Sequence, residues 1–165
     1  MDETLMRLNA PVIKCWMKRG KQQRLPFFTG TRRSRIMAGA LNWRTGDVHV
    51  QQLAHLSSEH IIAFYEWLFS QVYPTGLIVL VMDNASFHHS AAVQAALSFF
   101  EDRVIVIWLP PYSPDLNPIE RFWKHLKANC ANYLFKSIQD LIDHVFRLLE
   151  YQNTDHHLKL TFSKI

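Results

Sequence analysis

The sequence predicts an α/β fold in which helices flank a mixed β-sheet. Two apolar-leaning runs at residues 35–43 and 47–53 come first and indicate strands. An amphipathic stretch at residues 57–73 follows, and a further helical pattern separates two short apolar runs at 77–82 and 104–109. Leading strands followed by an alternation of helix and strand are typical of a sheet that is covered on both faces.

The first third of the chain is predicted to contain a short strand, a long irregular segment and a hairpin. Thr4 to Leu8 has the composition of a short strand. Residues 9–33 combine glycine and proline with many basic side chains, which indicates irregular structure. The two runs on either side of Arg44-Thr45-Gly46 predict an antiparallel hairpin.

The middle of the chain is predicted to form helix, strand and helix. Residues 57–73 place apolar side chains at helical spacing, which predicts an amphipathic helix. Residues 77–82 form a continuous apolar run and predict a buried strand that ends at Asp83. A second helix is expected over residues 90–100.

The last third is predicted to contain a buried strand at residues 103–109, a proline-rich connection and two helices. Asn117 can cap the first of these helices with its side chain, and Pro118 suits the first turn because its missing N–H is not needed there. Glu120 then falls at the third helical position, where a capping box places an acid. The final amphipathic helix is expected over residues 137–151.

Length and composition predict one globular domain. The chain has 165 residues, of which 48% are hydrophobic and 13% aromatic, enough for a sizeable core. We expect this domain to occupy residues 1–151 and a loose C-terminal tail to occupy 152–165. Because no run of about 18 apolar residues and no secretory signal is present, no membrane span is expected. Cys15 and Cys130 lie far apart, which favours free thiols in a reducing cytosol.

The charge is distributed unevenly along the chain. Residues 1–46 carry ten Lys and Arg against two acids, whereas residues 45–102 carry six acids and no Lys or Arg. A basic segment attached to an acid-bearing middle indicates a polyanion held beside carboxylates, although a solvated basic loop explains the charge equally well. The basic candidates in this segment are Lys14, Lys18, Arg19, Lys21, Arg24, Arg32 and Arg33.

Two carboxylates stand at positions that favour metal binding. Asp83 closes a buried strand, and Glu120 opens the helix after the next strand, with 36 residues between them. A right-handed crossover of this length returns the chain to the same edge of the sheet. Neighbouring carboxylates ionise together readily only when a cation joins them, and oxygen ligands favour Mg²⁺ or Mn²⁺. With Asp2 as a third acid, two such ions can promote displacement at a phosphodiester.

Each of these acids also has a structural interpretation. Asp83 with Asn84 can form a turn after a strand, and Glu120 can belong to a capping box. Asp2 can be a solvated charge in an N-terminal segment. From spacing alone, these alternatives remain open.

Three further side chains are candidates for contact with a phosphate backbone. His88 follows Asp83 closely and can contact phosphate, or it can help Ser90 to cap the following helix. Lys124 and Lys127 lie on the exposed side of the helix that begins near Glu120. A solvated helix face is the alternative for both lysines.

Two long motifs resemble the signature blocks of the DDE-type transposases. These are Val81-Met-Asp-Asn-Ala-Ser-Phe-His-His-Ser90 and Leu109-Pro-Pro-Tyr-Ser-Pro-Asp-Leu-Asn-Pro-Ile-Glu-Arg-Phe-Trp123. The specific likeness is to bacterial insertion-sequence members related to the mariner superfamily. The weaker first block of that family is resembled by Asp2-Glu3 with Trp16, Gly20, Gly39 and Thr45-Gly46.

This resemblance implies an RNase H-like, three-layer fold in which Asp2, Asp83 and Glu120 converge on two divalent metal ions, Mg²⁺ or Mn²⁺. It implies cleavage of double-stranded DNA at transposon ends and attack of the freed 3′-hydroxyl on target DNA, typically at TA sites. It further implies a homodimer in a synaptic complex, in a cytoplasmic, nucleoid-associated bacterial protein.

Two departures from the family pattern shape the functional hypotheses. A helix-turn-helix region that reads transposon ends does not occur in the sequence, and only Met1 precedes the first acid, so the first strand is expected to be truncated. The first hypothesis is therefore a catalytic domain that is a C-terminal fragment, with an N-terminal half that can be separately encoded. The second is a weak or inactive DNA-binding remnant or partner subunit. A non-transposing nuclease fits the fold but not the second long motif.

Overall fold

A computed structural model of the protein describes residues 1–9, 12–14, 16–21, 33–111 and 113–155. Within these ranges the chain alternates between strands and helices in the predicted order. The strands are β1 (Asp2–Arg7), β2 (Ser34–Leu41), β3 (Val48–Leu53), β4 (Ile78–Met82) and β5 (Val104–Trp108). The helices are α1 (Ser58–Trp67), α2 (Ala91–Ser98), α3 (Pro118–Cys130) and α4 (Ile138–Asp155).

The strands form an antiparallel and a parallel group. β2 lies between β1 and β3 and pairs with both in antiparallel register, and β4 pairs with β5 in parallel. The two groups meet where the Met1 ammonium donates a hydrogen bond of 2.6 Å to the carbonyl of Val81 in β4. β1 thus lies next to β4, and the last residues of β4 are beside the first residues of β1.

Helices pack on both faces of this arrangement. Adjacent residues of a strand point to opposite faces, and β2 shows the consequence directly. Met37 belongs to the core formed with α3 and α4, whereas Ala38 belongs to the core formed with α1, α2, β4 and β5. The predicted mixed α/β architecture, with strands between two helical layers, is confirmed.

Two helices differ from their predicted extent. The stretch predicted as one helix over 57–73 is α1 followed by a π-helical turn at Leu68–Val72, and the Arg103 guanidinium donates to the carbonyls of Phe69 and Tyr73 there. α4 continues four residues past the expected end at 151, because the side chain of Asn153 exchanges two hydrogen bonds with the backbone of Val48.

The rest of the predicted tail, residues 156–165, lies outside the described residues, and so does Cys15. Cys130 is buried and has a free thiol. Across the ranges given above, none of the helices has the length and apolar character needed to cross a membrane.

Candidate active site

Asp2 is held in the sheet by its position in β1. Its backbone pairs with Gly39 of β2, and its side chain is buried. Oδ2 of Asp2 is fully enclosed and has no hydrogen-bond partner among the described residues. An enclosed carboxylate oxygen without a donor is costly, so this atom is suited to a ligand.

Gly39 allows α3 to pack directly against the strand next to Asp2. A Cβ atom at Gly39 would lie 2.6 Å from Cζ2 of Trp123 and 3.2 Å from Cδ1 of Ile119. Both side chains belong to α3 and are fully buried. The missing side chain of Gly39 therefore brings the start of α3 close to the start of β1.

Asp83 and Glu120 line one cleft. Asp83 follows β4, its side chain is 49% exposed, and its Oδ1 accepts a hydrogen bond of 3.2 Å from the Ala85 amide. Glu120 is exposed in the first turn of α3. The cleft has a volume of about 420 Å³, and its other walls include Pro110 and Pro111 of the proline-rich connection.

The electrostatics place Asp2 near both other acids. Burial, together with the nearby carboxylates of Glu120 and Asp83, raises the pKa of Asp2 to about 7. Asp83 and Glu120 therefore both lie within electrostatic range of Asp2, so the three acids predicted from the sequence lie in one region of the molecule. Their role as ligands stays a prediction.

The donor chemistry of this group fits a hard divalent cation. All three side chains offer carboxylate oxygens, which Mg²⁺ and Mn²⁺ prefer, and one of these oxygens is the enclosed Oδ2 of Asp2. Within the described ranges, however, no three His, Cys, Asp or Glu side chains are already close enough to hold a metal ion. Side-chain adjustment at the exposed Glu120 and Asp83 is therefore part of any binding event.

A buried group next to Asp2 was not predicted from the sequence. Glu3 points to the other side of β1, and its Oε2 lies 3.8 Å from Nε2 of His88. The same nitrogen lies 3.7 Å from Oδ1 of Asp83, and Nδ1 of His88 lies 3.0 Å from the Tyr65 hydroxyl. Strand alternation after Asp2 is the only sequence signal for Glu3, and nothing local joins it to His88 or Tyr65.

His88 is 1% exposed, which does not fit a direct contact with a DNA phosphate. Burial lowers the pKa of His88 to about 4 despite the nearby Asp83 carboxylate, so the ring is neutral at neutral pH. Its ring nitrogens face Tyr65, Glu3 and Asp83 rather than solvent. The cap of α2 is supplied by Ser90, whose hydroxyl accepts from the amide of Val93.

Glu3 is expected to make stability depend on pH. Burial, together with the carboxylates of Asp2 and Asp83, raises its pKa from the ordinary 4.5 to about 8. A raised pKa means that the native state holds the proton more tightly than the unfolded state. The stabilising contribution of protonated Glu3 to the free energy of unfolding is therefore fully present below about pH 4.5 and is lost as the pH rises through about 8.

The variant Glu3→Gln has no titratable group at this position, so its stability does not depend on the protonation of residue 3. Without divalent ions, the free energy of unfolding of the original chain should fall relative to that of Glu3→Gln as the pH is raised from 5 to 8. Urea denaturation of both chains at several pH values measures the difference. A difference that stays constant, or that changes in the opposite direction, contradicts the burial of an ionisable Glu3.

Asn117 is the N-cap residue of α3, as predicted, although its side chain has a different partner. Its backbone is extended, as at a cap, but no side-chain hydrogen bond to an α3 amide is formed. Instead Nδ2 of Asn117 donates a buried hydrogen bond of 3.2 Å to the carbonyl of Met1. The distant partner explains why local sequence reasoning assigned the wrong contact.

The basic candidates are divided between exposed positions and positions outside the described residues. Arg24 and Arg32 lie outside them. Lys127 is half-buried on α3. The exposed members of the set are Lys14, Lys18, Arg19, Lys21, Arg33 and Lys124.

Part of the basic segment is held by a side chain that follows α3. The side chain of Asn132, after α3, exchanges two hydrogen bonds of 3.0 Å with the backbone of Ile13. Asn132 has a φ of 60°, a left-handed conformation that asparagine tolerates better than most residues. Trp16 is fully exposed in this segment. Ile13, next to Lys14, is thus fixed beside the α3–α4 connection.

Comparisons with known proteins agree with this architecture. Residues 1–142 match the family described as DDE superfamily endonuclease. The chain is 30% identical over 150 residues to the insertion element IS630 uncharacterized 39 kDa protein of Shigella sonnei. This match covers 90% of the chain and 43% of the Shigella protein, so the chain spans less than half the length of that relative.

Solved structures show the same fold at low sequence identity. A Mos1 transposase paired-end complex with left transposon end superposes with a TM-score of 0.71 at 16% identity, covering 90% of this chain and 46% of that one. A Mos1 mariner paired-end complex with Mn gives 0.69 at 17% identity, with the same coverage. The catalytic core domain of BIV integrase gives 0.51 at 16% identity, covering 67% of this chain and 72% of that one. The expected RNase H-like fold is thereby confirmed.

Proposed function

The chain belongs to the DDE superfamily endonucleases, and we propose that it is the catalytic domain of a DNA transposase. In this proposal it cleaves DNA at transposon ends and transfers the freed 3′-hydroxyl to target DNA, typically at TA sites. The observation that supports the proposal is that Asp83 and Glu120 line one cleft and that both raise the pKa of the buried Asp2.

Asp2, Asp83 and Glu120 are proposed to hold two divalent ions, Mg²⁺ or Mn²⁺. When bound, such ions would stabilise the attacking and leaving oxygens of a phosphodiester displacement. The enclosed Asp2 would fix the inner side of the site, while the exposed Asp83 and Glu120 would present their carboxylates to the cleft. Pro110 and Pro111 restrict the backbone of the opposite wall, which helps to position DNA.

Double-stranded DNA is the proposed partner. It comprises two substrates, the transposon ends and the target DNA. The exposed basic side chains of the segment that contacts Asn132 through Ile13, together with Lys124 on α3, would neutralise the phosphate backbone. Such contacts position DNA without reading its sequence. Lys127 is a weaker candidate because it is half-buried.

The greater length of the Shigella relative suggests that the active transposase contains a region in addition to this chain. Because the chain spans 43% of the Shigella protein, we place end recognition in a further region, either joined to this chain or encoded as a separate N-terminal half. The chain itself would then be a C-terminal part of the active protein. A homodimer that synapses two ends, in a cytoplasmic and nucleoid-associated setting, completes the proposal.

Nicking of DNA tests this proposal directly. The substrate is linear DNA that carries the inverted repeats flanking the gene, supplied with Mg²⁺ or Mn²⁺, and the chain is assayed alone and with any upstream coding region restored. Metal-dependent nicks at the repeat boundaries support a transposase. Nicks on random DNA without preference for the repeats, or cleavage of RNA–DNA hybrids alone, favour a different nuclease.

A steep salt dependence is expected for DNA binding. Removal of one basic side chain that binds a phosphate should reduce the slope of log K against log[salt] by about 1. The double variant Lys18→Ala/Arg19→Ala should therefore bind double-stranded DNA more weakly and with a slope smaller by about 2. Fluorescence anisotropy at several salt concentrations gives the slope, and Arg147→Ala, an exposed basic position on α4, is the matched control. If the slope is the same in the double variant and in Arg147→Ala, then Lys18 and Arg19 do not contact the DNA phosphates.

A DNA-binding partner subunit without catalysis is the second candidate. It is favoured by the spacing of the acids, since no metal-ligating trio is preformed in the described part of the chain. This candidate predicts salt-sensitive DNA binding that survives Asp83→Ala and no metal-dependent nicking with any upstream region. Nicking that Asp83→Ala abolishes excludes it.

A further inference from the structure

Asn117 makes a long-range contact that its position before a helix does not require. It is 4% exposed, it immediately precedes α3, and its amide nitrogen bonds to the carbonyl of Met1 across 116 positions of sequence. A side chain that only capped α3 would accept from an α3 amide, and that bond is not formed. The side chain is therefore committed to the start of β1.

The two hydrogen bonds of Asn117 lie beside two of the three acids. The Met1 carbonyl that it contacts immediately precedes Asp2 in the chain. The carbonyl of Asn117 itself accepts a hydrogen bond of 3.1 Å from the amide of Glu120. One residue thus joins the backbone next to Asp2 to the backbone of Glu120, and it also lines the cleft that contains Asp83.

The chemistry of this contact needs an amide. Serine and aspartate cap helices about as well as asparagine, so a pure capping position accepts all three. A carboxylate cannot donate to the Met1 carbonyl, and a serine hydroxyl is too short to replace the amide nitrogen. Either change would leave a buried carbonyl without its partner and free β1 to shift relative to α3.

We propose that Asn117 is a positioning residue that fastens the first residues of β1 to the first turn of α3 and so fixes the separation of Asp2 and Glu120. This inference rests on the proposed metal-dependent function. Asn117 acts through the two acids and is not itself a metal ligand. Its role resembles that of groups that hold metal ligands in position through hydrogen bonds. Loss of such a group commonly weakens metal binding by about 10–100-fold.

The test measures Mn²⁺ binding rather than DNA cleavage. Mn²⁺ is titrated into the original chain, Asn117→Ser and Asn117→Asp, and the free ion is followed by electron paramagnetic resonance. The control is Val145→Ala, which removes buried volume from α4 on the same side of the sheet, away from the cleft. Circular dichroism establishes that each variant is folded at the temperature of the titration.

Both Asn117 variants should bind Mn²⁺ at least about tenfold more weakly than the original chain, whereas Val145→Ala should keep its affinity. Unchanged affinity in folded Asn117→Ser would overturn the positioning role, since this variant adds no charge that could itself attract the ion. An equal loss in Val145→Ala would overturn it too, because affinity would then follow stability. If the original chain does not bind Mn²⁺, both the proposed metal centre and this inference are overturned. Unchanged affinity in the Asn117 variant, or an equal loss in Val145→Ala, overturns only the positioning role and leaves the proposed function standing.

Discussion

Glu120→Gln is expected to lower metal-dependent DNA cleavage about 10³-fold while the protein remains folded. Metal ions contribute several kcal/mol to stabilising the transition state of such displacements, and about 1.4 kcal/mol corresponds to a factor of ten in rate. The amide keeps the size of the side chain and removes its charge. Because Glu120 is exposed, the substitution creates no cavity and leaves the packing of α3 intact.

Asp115→Asn is the matched control for this prediction. Asp115 is also exposed, precedes α3 by a few residues, and loses the same charge, but it does not line the cleft. Single-turnover nicking of end DNA is measured for both variants. The comparison distinguishes the loss of a metal ligand from the loss of a negative charge near the site. Similar rates in both variants would remove Glu120 from the metal centre.

Trp123→Ala is expected to lower the free energy of unfolding by about 3–5 kcal/mol. Trp123 is 1% exposed and fills the space that Gly39 leaves between α3 and β2. A glycine has no side chain that can move into the void, and the backbone of β2 is fixed by strands on both sides. The cavity should therefore stay largely open, which places the loss at the upper end for such substitutions.

Urea denaturation monitored by circular dichroism measures this loss. Trp43→Ala is the control, because Trp43 is 57% exposed in the hairpin turn and its replacement should change the free energy by about 0.5 kcal/mol or less. Similar losses in the two tryptophan variants would show that α3 does not depend on the contact with Gly39.

The elements that sequence predicts well are those specified by local pattern. The apolar runs of β4 and β5 and the glycine-containing turn between β2 and β3 each lie within a few residues of where they were expected. The end of α4 was missed because its last turn is held by Asn153 through Val48, more than a hundred positions away. No periodicity within the helix reports such a contact.

The same distinction holds at the candidate site. Asp83 and Glu120 follow from their places at a strand end and a helix start, while Asp2 was only a candidate third acid until the family resemblance singled it out. The contact of Asn117 with Met1 and the cluster of Glu3 with His88 and Tyr65 join separate parts of the chain, so local rules assigned Asn117 to a cap and gave Glu3 no role.

Iron-directed cleavage of the polypeptide tests most directly whether Asp2, Asp83 and Glu120 form one metal centre. Fe²⁺ replaces Mg²⁺ or Mn²⁺ at sites with oxygen ligands, and with ascorbate and peroxide it generates radicals that cut the backbone close to the ion. Mass spectrometry should find cuts near Asp2, near Asp83 and near Glu120, all suppressed by excess Mg²⁺ and all weakened together by Glu120→Gln. Cuts at other positions, or a cut near Asp83 that persists unchanged in Glu120→Gln, would contradict a shared centre.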